Sequence, residues 1–194
     1  MNSSTIEIQR KSSTPETWVD HYGDYLYRYA LSRLRNAGLA ENLVQETFLA
    51  ALHSRDRFSG LSTEKTWLTG ILKHKIVDHF RKNYREHPVS DFVNEDESVD
   101  EFFTKSGIWK NQPGHWTLDP AKLLENKEFW EVFKECLNRL PRPMADAFML
   151  STMEGMKTDE VCKILNITRT NLWVILCRAR MRLRQSLENC WFQN

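Results

Sequence analysis

Between Thr158 and Leu183 the chain carries two short amphipathic periods separated by a break at Asn166 and Ile167, and few structures satisfy that pattern. Thr158 reads as a helix cap, with Asp159 and Glu160 placed to complement the positive end of a helix running to Leu165. Thr168 caps the next helix, in which Leu172, Ile175, Leu176, Ala179 and Leu183 form an apolar stripe of helical period. Two helices joined so tightly predict a helix-turn-helix, a motif whose second helix ordinarily enters the major groove of DNA. Opposite the stripe the period puts Thr170, Trp173, Val174, Cys177, Arg178 and Met181 outward. Arg169 and Asn171 stand at the N-terminal end, where base edges are usually reached.

Upstream, the helical period recurs three times. From Glu16 a stripe of Trp18, Tyr22, Tyr25, Leu26, Tyr29 and Ala30 runs out near Gly38. A second helix, about 40–54, buries Leu43, Val44, Thr47, Phe48 and Ala51, and turns Glu41, Asn42, Gln45, Leu49 and Leu52 outward. After the loop FSGLSTE, broken by Gly60 and two serines, a third helix spans about 65–85 with a polar stripe of His74, Asp78, Arg81 and Arg85. Residues 87–120 hold prolines and glycines with no sustained period and read as a linker whose several aromatic residues dock somewhere. From Leu123 the period returns through Trp130, Phe133, Leu137 and Leu140, and Pro141 ends it. The expected fold is all-α: a disordered Ser/Thr-rich lead (1–14), a helical domain (15–86), a flexible acidic linker (87–120) and a second helical domain with the helix-turn-helix (121–194).

The formal charge of +1 conceals a segregation. Residues 64–85 hold six Lys and Arg against two acids, and residues 139–194 hold nine against five, whereas residues 86–120 hold two Lys against eight acids. Two basic modules flanking an acidic connector suit partners that carry phosphate. The four cysteines, Cys136, Cys162, Cys177 and Cys190, lack the spacing of a zinc site and read as reduced thiols. His74 and His79, five apart, diverge by about 140° round a helix and do not converge on a metal. Motifs for hydrolytic or phosphate-loop chemistry are missing, so neither an enzyme nor a cofactor is expected. With neither a signal-peptide core nor a membrane-length apolar run, the expected location is cytoplasmic.

In this order the parts resemble one family. A helical domain containing ENLVQETFLAAL is followed by WLTGILKHKIVDHFRKNYR, an acidic linker and a helix-turn-helix ending RARMRLR. The chain resembles the extracytoplasmic-function (ECF) type of sigma-70 factor, a subunit that carries bacterial RNA polymerase to a promoter. The resemblance implies that Asn42, Gln45, Glu46, Leu49 and Leu52 grip the clamp of core RNA polymerase. It implies that the loop 58–64, with Ser59 and Ser62, captures a flipped base of the promoter DNA, that Trp67 braces the strand junction, and that Lys73, Arg81, Lys82 and Arg85 contact phosphates. It assigns the upstream promoter element to Arg169, Thr170, Asn171, Trp173, Val174, Cys177 and Arg178, and adds an anti-sigma factor as a partner. Where relatives commonly carry Lys or Arg in the middle of this last helix, Trp173, Val174 and Cys177 stand here. Apolar groups of that kind can read thymine methyls, or bind protein instead. The same residues also allow Leu49 and Leu52 to pack under neighbouring helices and Trp67 to serve only the core. They equally allow a self-sufficient helix-turn-helix regulator that binds paired half-sites unaided.

Overall fold

The computed structural model of the chain describes residues 15–89 and 126–192. Among these every regular element is helical, so the fold is all-α. The expected lead and nearly all of the expected linker lie outside the described residues. The chain divides into two compact units, Met1–Asp78 and His79–Asn194.

In the first unit, a 3-10 turn (Pro15–Thr17) leads into α1 (Trp18–Leu34). That helix stops before the expected Gly38, because Arg35 takes a left-handed φ of 54° and donates its N–H to the Leu31 carbonyl at 2.9 Å. Asn36 then accepts the Leu39 N–H at 2.9 Å on its side chain, so α2 (Ala37–His53) starts earlier than the apolar period indicates. The Asn cap overrides Gly38 as a boundary. Trp18, Leu26, Ala30 and Leu34 of α1 are buried, as are Ala40, Leu43, Val44, Thr47 and Ala51 of α2. The small residues among them permit close helix approach. Phe48, expected inside, is only half-buried. A 3-10 turn (Arg55–Arg57) and the loop to Thr63 precede α3 (Glu64–Glu86). Thr63 caps α3 by accepting the Thr66 N–H at 3.2 Å, and Leu68, Leu72 and Ile76 supply its share of the core. Tyr22 of α1 donates to Glu64 at 3.1 Å, fixing the start of α3.

The second unit takes in the last turns of α3. There the Tyr84 hydroxyl donates to the buried Asp146 carboxylate at 2.6 Å, and Arg142 lies 3.7 Å from the same oxygen. Burial and then the Arg142 charge lower the pKa of His79 in this surrounding, against an opposing pull from Asp146. Asn126 caps α4 (Lys127–Asn138) by accepting the Glu128 N–H at 2.8 Å. After Pro141 comes α5 (Arg142–Phe148), which the apolar period does not announce. Every residue from Pro143 to Phe148 is buried, so α5 has too little polar face to alternate against. A π-helical turn (Met149–Met153) extends it. The predicted pair follows as α6 (Thr158–Leu165) and α7 (Arg169–Leu187). Asn166 makes the turn at a φ of 54°, a conformation Asn tolerates better than most residues. One cap differs from expectation: Thr158 is the first helical residue and Lys157 holds the cap position. At the other helix Thr168 does cap, accepting the Asn171 N–H at 3.2 Å. Leu172, Ile175, Leu176, Ala179, Leu183 and Leu187 are all buried, and a π-helical turn (Glu188–Phe192) follows α7 directly.

Because Thr168 satisfies an otherwise free amide at the start of α7, Thr168→Ala should lower the stability of the protein by about 1 kcal/mol. Thr168→Asp should remain close to the parent. Urea unfolding followed by far-UV circular dichroism distinguishes the two variants.

Candidate nucleic-acid and protein-binding interfaces

On α2, Leu49 and Leu52 are 58% and 52% exposed. They lie one helical turn apart, on one face with the exposed Asn42, Gln45 and Glu46. Packing of these leucines under neighbouring helices is overturned, since the core of the first unit is closed by Leu43, Val44, Thr47 and Ala51. Glu46 is not a loose carboxylate: Lys75 of α3 reaches it at 2.9 Å, still on the surface. The result is an apolar pair edged by hydrogen-bonding groups, the make-up of a small protein interface.

The loop between α2 and α3 is rooted in an aromatic column. Phe58 lies against Trp67 with ring centroids 4.8 Å apart, and Trp67 meets buried Trp18 edge-on at 5.8 Å. Trp67 is half-buried and holds the loop to the core. Gly60 adopts φ +70°, and beside it Leu61 is 90% exposed. Ser59 is exposed, while Ser62 is half-buried and its hydroxyl makes only a long contact, 3.4 Å, with the Thr63 carbonyl. Lys73, Arg81, Lys82 and Arg85 of α3 are all exposed; the Lys73 ammonium stands 5.8 Å from the Tyr29 ring. Leu61 was not among the residues expected to function, because one leucine inside a polar loop leaves no periodic signal.

On α7 the outward face holds Trp173, 75% exposed, with Thr170 and Asn171 exposed and Val174, Cys177 and Arg178 half-buried. Trp173, Val174 and Cys177 line an open hollow with Arg169 and Thr170. Arg169 is tethered, with its guanidinium 2.6 Å from Asp159 of α6. The arginines further along α7 divide. Arg180 is exposed, whereas Arg182 points to the Met144 sulfur at 3.9 Å and Arg184 pairs at 3.7 Å with Glu188, both mostly buried. Sequence spacing cannot reveal either engagement, since both partners are set by tertiary folding. Among the described residues no cluster of His, Cys, Asp and Glu is fit to hold a metal ion, and no helix is long and apolar enough to cross a membrane.

Residues 18–86 match the family described as Sigma-70 region 2, and residues 130–183 match Sigma-70, region 4. A probable RNA polymerase sigma factor of Haemophilus influenzae is 36% identical over 82% of this chain and 82% of its own. The chain belongs to the sigma-70 family. The ECF RNA polymerase sigma factor SigM of Bacillus subtilis is 30% identical over 84% of this chain and 88% of its own, and the sigma factor is of that ECF type. It therefore serves promoter recognition and transcription initiation, with core RNA polymerase and promoter DNA as partners. Among solved structures, the sigma factor RpoE in complex with the anti-sigma factor NepR from Bartonella quintana is 26% identical. The match covers 89% of this chain and 96% of that one, and its TM-score of 0.42 is too low for a comparison of positions.

Since Leu49 and Leu52 touch little of the core, the double variant Leu49→Asp, Leu52→Asp should keep its helical content and lie within about 0.5 kcal/mol of the parent. A loss of several kcal/mol in thermal unfolding would show that the pair is structural.

Proposed function

We propose that the sigma factor holds core RNA polymerase through the α2 face of Asn42, Gln45, Glu46, Leu49 and Leu52. The observation that carries this reading is the exposure of two leucines within a polar rim, a surface suited to a coiled-coil partner. The loop 58–64, rooted on Trp67, takes an extruded promoter base, with Ser59 and Ser62 offering polar contacts and Leu61 an apolar one. Lys73, Arg81, Lys82 and Arg85 hold phosphates and fix the register. The outer face of α7 reads the upstream element: Thr170 and Asn171 offer hydrogen bonds, Trp173, Val174 and Cys177 meet thymine methyls, and Arg169 and Arg178 lie at the margin. In this scheme the chain performs no chemistry of its own; bond formation belongs to the polymerase, and the location is the cytoplasm. An anti-sigma factor is a further partner, suited to the same exposed apolar faces.

Mixed with sigma-free core RNA polymerase, the chain should comigrate on size exclusion, and the Leu49→Asp, Leu52→Asp variant should not. Failure of the parent to comigrate, together with tight binding to a symmetric duplex, would favour an autonomous regulator.

A second measurement addresses α7. Replacing thymine by uracil in the upstream element removes only the methyl group, and should weaken promoter binding of the holoenzyme by about 1 kcal/mol per methyl in contact. Trp173→Ala should reduce that difference; an equal effect of uracil on parent and variant would exclude methyl readout by Trp173.

A further inference from the structure

Two thiols far apart in sequence meet in the second unit. Cys136 is buried on α4, on the helix face that also carries Phe129 two turns before it and Arg139 one turn after it. Cys190 is half-exposed on the π-helical turn after α7. Both are reduced. Trp191, the next residue, stands edge-on to Phe129 of α4 with centroids 5.7 Å apart, so the turn bearing one thiol is held against the helix bearing the other. Arg139 adds a third element: its Nη1 donates to the Cys190 sulfur at 3.3 Å, setting a permanent positive charge beside the accessible thiol.

We propose that Cys136 and Cys190 are a peroxide-responsive dithiol, whose oxidation to a disulfide pins the C-terminal end of α7 to α4. The accessible sulfur of Cys190 attacks one oxygen of hydrogen peroxide: an S–O bond forms, the O–O bond breaks, and the departing hydroxide takes the thiol proton as water. The sulfur of Cys136 then attacks that of Cys190. The S–S bond forms as the S–O bond breaks, and the second hydroxide leaves with the Cys136 proton. The two thiols give up two electrons and the peroxide becomes two waters. Burial, reinforced by the neighbouring Cys190, pushes the Cys136 thiol up to about 11, which disfavours its direct attack on the oxidant; its place beside Cys190 is what lets it resolve the sulfenic acid. Such a division between an exposed attacking sulfur and an adjacent resolving one is characteristic of redox-sensing pairs. Neither Cys162 nor Cys177 shares the arrangement: they lie on α6 and on the outer face of α7.

The test uses the folded full-length chain, treated with a small excess of hydrogen peroxide, alkylated in denaturant and mapped by mass spectrometry without reductant. A peptide joining Cys136 to Cys190 should dominate and disappear with a phosphine reductant, and the oxidised protein should melt at a higher temperature than the reduced one. Cys190→Ser should abolish the cross-link. Cys136→Ala, if it folds, should trap Cys190 as a sulfenic acid that dimedone labels; Arg139→Gln, on the surface, should slow cross-linking several-fold. Undiminished alkylation of both thiols after peroxide, over-oxidation of Cys190 with no cross-link in the parent, or a disulfide to Cys162 or Cys177 instead would each overturn the proposal.

Discussion

The contact of Trp67 with Trp18 on one side and Phe58 on the other fixes the loop that the first unit presents. Each aromatic pair of this kind contributes about 0.5–1.5 kcal/mol beyond its burial, and here the geometry matters as much as the energy. With Phe58 anchored at one end of the loop and Thr63 capping α3 at the other, the intervening residues have little freedom. Gly60 turns the backbone through the left-handed region, and Leu61 is left outside. A hydrophobic side chain displayed on a loop with fixed ends loses less entropy on meeting a partner than one on a loose tether.

The second unit puts α7 to two uses. One side, from Leu172 to Leu187, is core; the other keeps Trp173 in water. Leaving an indole exposed sacrifices the stabilisation its burial would bring, as leaving Leu49 and Leu52 exposed does on α2. Isolated exposed leucines are ordinary on protein surfaces. Two on adjacent turns and a tryptophan beside an apolar hollow are the features that a binding surface accounts for.

The sequence made α7 legible because its cap and its buried stripe follow local rules that tertiary context did not disturb: Thr168 caps, and the five apolar positions face inward. The outward pair on α2 was legible for the same reason, as a violation of its own amphipathic pattern. Boundaries governed by a single side chain were harder. Nothing in the apolar period indicates that Arg35 turns left-handed and that Asn36 caps. The helix α5 escaped because it is buried on every side, and periodicity detects only a contrast between faces. Pairings across the fold, Lys75 with Glu46, Tyr84 with Asp146 and Cys136 with Cys190, required the structure. The domain-level organisation was read from the order of the motifs; the two family matches span 18–86 and 130–183, whereas the compact units divide inside α3, after Asp78, where no break in the helical period marks a boundary.

The tether between Arg169 and Asp159 has a thermodynamic corollary for an α7 face that meets DNA. An arginine that arrives free at a phosphate displaces a condensed cation from the duplex, and the gain is entropic. An arginine already neutralised by its own carboxylate must exchange one anion for another, and the abandoned Asp159 then attracts a cation from solution. Ions released at the duplex are offset by ions taken up on the protein. In the proposed complex Arg169 therefore adds less to the salt dependence of binding than its formal charge implies, and its contribution falls on the side of orientation rather than attraction.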